Sequence, residues 1–212
     1  MDILLHPTYM PSIAHFVVMA QADNIVFEVE DNYQKQTYRN RSYIFGANGR
    51  LMINIPVIHS HINRQKYKDV KIAGSEDWQS HNWKSIESAY RSSPFFEFYE
   101  DDLNILFTKK YKYILDHNFD CLEVLIRLLE LNITIRKTTC FKENVSPLKD
   151  YRFLANARLE TPIKFEEYNQ VFSNKYGFIS NLSILDLLFN EGPNTVSYLE
   201  SQQLKMIECC RS

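Results

Sequence analysis

The chain has 212 residues, 45% of them hydrophobic and 24% charged, which is enough length and apolar content for one domain with a substantial core. A net charge of −2 leaves no global basic field to draw it to nucleic acid or to an anionic membrane. Five glycines, with neither a GxGxxG nor a GxxxxGKS/T pattern, argue against the common phosphate loops, and four cysteines without a CxxC argue against a zinc framework.

The N-terminus has no basic leader, and no apolar run approaches about 18 residues, so a cytoplasmic chain without a membrane span is expected. Cys121, Cys140, Cys209 and Cys210 are then expected to be free thiols. One domain over residues 1–212 is predicted, with an ordered core from about 3 to 205 and a frayed tail.

Residues 3–5 read as a short buried strand. It ends at His6-Pro7-Thr8-Tyr9-Met10-Pro11, where two prolines force a non-helical turn. Ser12 suits a helix N-cap, and Ile13, Phe16, Val17 and Ala20 repeat at i, i+3, i+4 and i+7, predicting an amphipathic helix that Asn24 ends. Residues 25–30 alternate Ile25, Phe27 and Val29 with Val26, Glu28 and Glu30, a second strand. Strand, helix and strand within about 30 residues make a βαβ unit with a parallel pair. Residues 42–45 and 51–57 flank Asn48-Gly49, a hairpin signal. Residues 59–67 are a polar basic loop, 70–72 a short strand and 78–90 a helix. Helices at about 101–117 and 120–131, a strand at 133–135 and a long polar excursion over 141–162 follow. A helix at 182–190 is stopped by Glu191-Gly192-Pro193, and a closing helix starts at Thr195. The expected fold is α/β: a single domain with an N-terminal βαβ unit, a mixed sheet including a hairpin, and a helical C-terminal half.

Ligands of such sheets gather beyond the carboxyl ends of the strands. Those ends carry His6 to Tyr9 and Glu28 to Tyr38, two polar loops expected to meet at one edge. Tyr33-Gln34-Lys35-Gln36-Thr37-Tyr38-Arg39-Asn40-Arg41 holds three cations and no acid. In extended backbone Arg39 and Arg41 share a face, about 7 Å apart, and two guanidiniums so placed fork a phosphate or carboxylate. Lys35 lies farther along that face. Salt bridges to Glu28, Glu30 and Asp31 are the competing use of the same cations. His6 suits a general base, a hydrogen-bonding anchor or a plain polar cap. His81, one turn before Lys84 and Ser85, is the other acid–base candidate, or closes its helix start. Asp186 lies among Leu182, Leu185 and Phe189. If buried it needs a partner, Arg39 or Arg41 being the sensible one; otherwise that face is open to water.

The candidate set is therefore His81, His6 and Asp186 for the chemistry, and Tyr9, Tyr33, Lys35, Arg39, Asn40, Arg41, Trp83, Lys84, Ser93 and Asn190 for binding. No metal ligand set is identified. Asn190 doubles as a helix cap, Ser93 lacks a G-x-S-x-G frame, Cys140 has only Arg136, Lys137 and Lys142 near it, and His59-Ser60-His61 lacks a third ligand.

Several of these stretches carry a likeness. The His6 to Pro11 motif, Arg39-Asn40-Arg41, Ile53-Asn54-Ile55-Pro56-Val57, His81 to Ile86, Tyr90, Ser93-Pro94-Phe95-Phe96 and the run from Asn181 to Pro193 resemble, in order, the WbqC-like family over about residues 3–200. Two departures stand in the first motif: His6 where many relatives have Gln, and Ser12 where many have Trp. The resemblance implies a place in bacterial surface-polysaccharide (O-antigen) biosynthesis and names no reaction or cofactor.

Two functions compete. One is a cytoplasmic transferase holding a small anionic ligand (a nucleotide sugar, an acyl or an aminoacyl donor) on Lys35, Arg39 and Arg41; Arg39→Ala is then expected to end turnover with the fold intact. The other is a non-catalytic binding or assembly module of the same pathway, using the aromatic stretch from Phe95 to Tyr99. A nucleic-acid enzyme is disfavoured by the overall charge.

Overall fold

Ile3, Leu4 and Leu5 are fully buried, the signature of a strand covered on both faces. They belong to β1 (Asp2–Leu5), one of the two inner strands of a four-stranded sheet. The computed structural model describes residues 1–58, 64–74, 77–157 and 163–204. β1 pairs in parallel with β2 (Asn24–Phe27), and α1 (Ile13–Ala20) connects them as the expected βαβ unit. β2 is shorter than its alternating pattern suggests, because the chain leaves the ladder at Glu28.

α1 is buried from Ile13 to Met19, including His15, rather than on one stripe. α6 (Ile184–Glu191) and α7 (Thr195–Ser201) pack on it and cover the face that an amphipathic reading gives to water. Ser12 stands at the N-cap position, yet its hydroxyl pairs with His15 Nδ1 at 2.9 Å. The first-turn N–H groups go instead to Leu182 O and Asn181 Oδ1, both 2.9 Å away, which ties the start of α1 to the approach to α6.

β3 (Arg41–Gly46) and β4 (Gly49–Asn54) form the hairpin as their own antiparallel ladder, with Gly46 opposite Gly49. Gly49 has φ 94°, which the tight turn at Ala47 and Asn48 requires. β5 (Val57–Ile58) and β6 (Lys71–Ile72) make a second small ladder. α2 (Trp78–Tyr90) spans the predicted residues. The next two helices differ from expectation: α3 is Phe96–Thr108 and α4 is Ile114–Leu128. Residues 109–113 are not helical, and Lys71 bridges to Tyr113 there, so the apolar period that seemed to run on from Leu106 to Ile114 crosses two helices.

β7 (Thr134–Lys137) adds to β2, again in parallel. Inside the stretch expected to be an excursion lies β8 (Lys149–Asp150), which pairs with Ile3 and Leu4 on the other side of β1. The sheet order is thus β7-β2-β1-β8. A 3-10 turn at Arg152–Ala155 follows, and α5 (Ser173–Tyr176) precedes α6. The α/β class, the hairpin and the helical C-terminal half are all present. Among the described residues no helix is long and apolar enough to cross a membrane. Cys121 is buried and Cys140 exposed, both as free thiols. Cys209, Cys210 and the His59-Ser60-His61 stretch lie outside the described residues.

Candidate functional site

Four parallel strands send their carboxyl ends to one edge. β1 delivers His6, β2 delivers Glu28 and Asp31, β7 delivers Thr138, and β8 delivers Arg152. A cavity of about 280 Å³ opens there, lined by His6, Asp31, Gln34, Arg39, Arg152 and Asn156 among others.

Arg39 is its central group. It is 1% exposed, and its Nη2 donates to His6 Nε2 at 2.9 Å and to Asp31 Oδ2 at 2.8 Å. The competing use of the cations, pairing with upstream acids, is therefore realised at Arg39 through Asp31 while the same guanidinium lines the cavity. Its Nε has no acceptor among the described residues. Burial lowers the Arg39 pKa, and Tyr67, Asp31, Tyr33 and Glu28 pull against that fall, so the guanidinium stays charged.

The rest of the molecule holds this arginine still. Asn118 of α4 donates to Arg39 O at 2.7 Å and also to the Tyr67 hydroxyl, which in turn donates to Pro7 O at 2.8 Å. Tyr9 N–H goes to Tyr38 O and Tyr38 N–H to Ala155 O, each 2.8 Å. The first turn, the arginine segment and the 3-10 turn after β8 are thus stitched into one wall.

His6 is buried and kept neutral, its pKa pushed well below the ordinary histidine value first by burial and then by the Arg39 guanidinium. With Nε2 accepting from Arg39, its ring proton sits on Nδ1. That makes His6 an anchor for the arginine in this arrangement.

Glu28 is fully buried. Its Oε1 accepts from Glu30 N–H at 2.7 Å and from the Thr138 hydroxyl at 2.9 Å, while Arg152 Nη1 stands 4.0 Å from Oε2. Arg152 is itself held by Asp150 and by the Lys142 and Glu143 carbonyls. Among the described residues no group of three or more His, Cys, Asp or Glu side chains is placed to hold a metal ion.

The other sequence candidates lie as follows. Tyr9 is buried, its hydroxyl accepting from Asn82 at 3.0 Å, and Tyr33 is buried with its ring 6.1 Å from that of Tyr67. Lys35 is exposed. Asn40 donates to Ile55 O at 3.1 Å, and Arg41 opens the hairpin opposite Asn54. Arg39 and Asn40 lie in turn backbone before β3, so Arg39 and Arg41 are not alternate residues of one strand. His81 and Lys84 are exposed on α2, and Trp83 packs against Phe96 and Phe107. Ser93 donates to Tyr90 O, and Asn190 donates to Asp186 O.

Asp186 is indeed buried, but its partners are not arginines. The Tyr90 hydroxyl donates to Oδ1 at 2.8 Å, and the Tyr168 hydroxyl and Gln170 amide to Oδ2. Burial pushes its pKa up to about 6 against those three donors. The structure therefore gathers His6 and Arg39 in the cavity and leaves Tyr9, Tyr33, Lys35, Asn40, Arg41, His81, Lys84, Trp83, Ser93, Asn190 and Asp186 outside its lining, so of the three cations expected to hold the anion only Arg39 lines it.

Asp31, Glu28 and Arg152 are the site residues that sequence reasoning passed over as such. The first two follow β2 and were legible as strand-end acids; Arg152 depends on β8, a two-residue polar strand with no pattern to announce it.

A model of the family described as WbqC-like protein family matches residues 6–158 and 148–198. An uncharacterized protein of Mycobacterium tuberculosis, Rv1507c, is 27% identical over 93 residues, which is 44% of this chain and 40% of that relative. The match thus spans well under half the length of either protein. No solved structure matches the chain. Because the family match runs over most of its length, the chain that carries this strand-end site belongs to the WbqC-like protein family.

Proposed function

We propose that this protein is a cytoplasmic transferase that holds a small anionic ligand in the cavity at the carboxyl edge of its parallel sheet and modifies a surface-polysaccharide precursor. One observation carries the reading: a buried, hydrogen-bonded Arg39 lines that cavity, beside Arg152, where four strand ends converge. A guanidinium taken out of water is retained where planar recognition of a phosphate or carboxylate matters. The association of WbqC-like proteins with surface polysaccharide is the second support. In this reading Arg39 binds the anion, His6 and Asp31 fix its plane, and Arg152 closes the charge from the β8 side. The cavity of about 280 Å³ suits the phosphorylated or carboxylated end of a donor rather than a whole nucleotide sugar.

A thermal-shift screen with nucleotide sugars, sugar phosphates, acyl-CoA compounds and amino acids tests it. A ligand at 100 times its Kd stabilises by about 2.7 kcal/mol, so a true ligand raises the melting point and is consumed when an acceptor is added. No shift with any anionic compound would remove the reading.

A second reading, a non-catalytic assembly module, is favoured by Phe98 and Ile105. They are 76% and 57% exposed on α3. It predicts a co-purifying partner that Phe98→Ser releases, and no consumption of an activated donor.

A further inference from the structure

A second cavity, of about 370 Å³, lies at the same sheet edge. Glu28, Thr138, Cys140, Lys137, Lys142 and Ser146 are among its lining residues. It adjoins the first: Phe141 lines the first cavity while its neighbours Cys140 and Lys142 line the second, and Arg152 of the first reaches within 4.0 Å of Glu28 Oε2.

Glu28 makes this cavity more than a surface dent. Its side chain is 1% exposed, and its two oxygens differ. Oε1 is saturated by Glu30 N–H and the Thr138 hydroxyl. Oε2 is buried and has no hydrogen-bond donor among the described residues. A buried carboxylate oxygen left without a donor is costly, and folded proteins seldom keep one for packing alone. It calls for a ligand O–H or N–H. The charges around it choose between them: Arg152, 4.0 Å from Oε2, Lys142, and Lys137, whose ammonium rests 3.8 Å over the Phe119 ring, outnumber Glu28, which opposes a cationic amine and favours a ligand with its own negative group.

We propose that this second cavity is a subsite for a hydroxyl-rich small anion of the sugar-phosphate class, with one ligand hydroxyl donating to Glu28 Oε2 and the anionic group turned toward Lys137 and Lys142. The proposal rests on the transferase reading, in which the two adjoining cavities take the two substrates.

The test uses the exposed thiol of Cys140, which lines this cavity and not the first, as a local reporter. The full chain is alkylated with iodoacetamide, and modification of Cys140 is followed by peptide-resolved mass spectrometry. Glucose 1-phosphate and inorganic phosphate are the probes, and melting is measured in parallel. Saturating glucose 1-phosphate is expected to slow Cys140 alkylation about fivefold or more, and inorganic phosphate clearly less, since it has no hydroxyl set apart from its anionic group to reach Glu28 Oε2 while that group stays on the lysines.

Glu28→Gln is expected to weaken protection about tenfold. Its amide oxygen must stay on Glu30 N–H, so the ligand hydroxyl meets a neutral NH2 in place of a charged acceptor and the charge-assisted bond is lost. Equal protection by both probes in the wild type overturns the proposal, and does so whether or not Glu28→Gln folds. Undiminished protection in a folded Glu28→Gln protein overturns it as well. A raised melting point with no protection of Cys140 puts the ligand in the first cavity only, ending this inference and leaving the transferase reading in place. Neither effect with any anion ends both.

Discussion

Arg39 shows how one residue serves both stability and a site. Its guanidinium is inside the protein, and what keeps it there is Asp31 on one side, His6 on the other and the Tyr67 ring 5.4 Å from its centre. Breaking a buried ion pair from one side costs roughly 3–5 kcal/mol, because the remaining charge stays desolvated. Arg39→Ala is therefore expected to lower stability by about that much in urea denaturation, contrary to the sequence expectation of an intact fold. The two roles separate in a double variant. Asp31→Asn keeps the acceptor for Asn32 N–H, a 2.6 Å bond, while removing the negative charge. Combined with Arg39→Met, it should recover most of the stability lost by Arg39→Met alone, since an ion pair replaced as a unit is close to neutral. The recovered protein should still show no melting shift with the anionic ligand that stabilises the wild type. If it binds as before, Arg39 is a structural residue and the anion sits elsewhere.

Elements meet at points that single-sequence reading sees from one side. Gly192 is the clearest: its place after α6 was legible from Glu191-Gly192-Pro193, and it has φ 51° with ψ −120°, a positive-φ backbone that glycine adopts and side-chain-bearing residues resist. Its second constraint was hidden. A Cβ there would stand 2.5 Å from the Phe95 ring, at the start of α3 and almost a hundred residues earlier in sequence. Gly192→Ala should thus combine the positive-φ penalty with overpacking against an aromatic, roughly 2–4 kcal/mol together. Gly74→Ala, with nothing within 4 Å, should fall within about 0.5 kcal/mol of the wild type in the same denaturation series. A cost at Gly192 of only about 1 kcal/mol, the backbone penalty alone, would mean that Phe95 yields freely.

The same asymmetry explains what could be read of the fold. β1, α1, the hairpin and α2 declared themselves through local apolar period and turn chemistry. The boundary between α3 and α4 did not, because Lys109 to Tyr113 break the helix while the apolar spacing continues. β8 did not either: its two residues are charged and exposed, and they are a strand only because Ile3 and Leu4 present an open edge. With β8 went Arg152 and half of the site. The meeting of His6 with Arg39 was legible, because the rule about strand carboxyl ends places both loops on one edge. Asp186 was legible as a buried acid but not in its company, since Tyr168 and Gln170 lie in a stretch without period.

At the scale of the molecule, Asp186 joins α6 to α2 through Tyr90 and to the segment before α5 through Tyr168 and Gln170. Its titration can be separated from that of the buried histidines because the signs oppose. Burial holds His15 down at about 3 and His117 at about 4, and His6 well below its ordinary value. Unfolded histidines carry a proton below about pH 6.5. Their depressed folded values therefore contribute stability that is present above that pH and lost on acidification. Asp186, raised to about 6, binds its proton more tightly folded than unfolded. Its contribution is present at low pH and lost as pH rises through about 6. Near pH 5 His15 and His117 favour the unfolded chain by roughly two protons, with His6 acting in the same direction, while Asp186 favours the folded one by about one. Asp186→Asn removes the opposing proton, so stability should fall more steeply on acidification, with a slope larger by about one proton, worth about 1.4 kcal/mol per pH unit. The variant's amide is neutral like the protonated acid and can keep its oxygen on the Tyr168 and Gln170 donors with its NH2 toward the Tyr90 hydroxyl oxygen, so the two proteins should be close in stability near pH 4.5 and the variant the more stable as pH rises. Urea midpoints at pH 4.5, 5.0 and 5.5 measure both effects at once. A parallel downward displacement with unchanged slope would show that Asp186 is ionised in the folded protein at pH 5, with its three donors outweighing its burial.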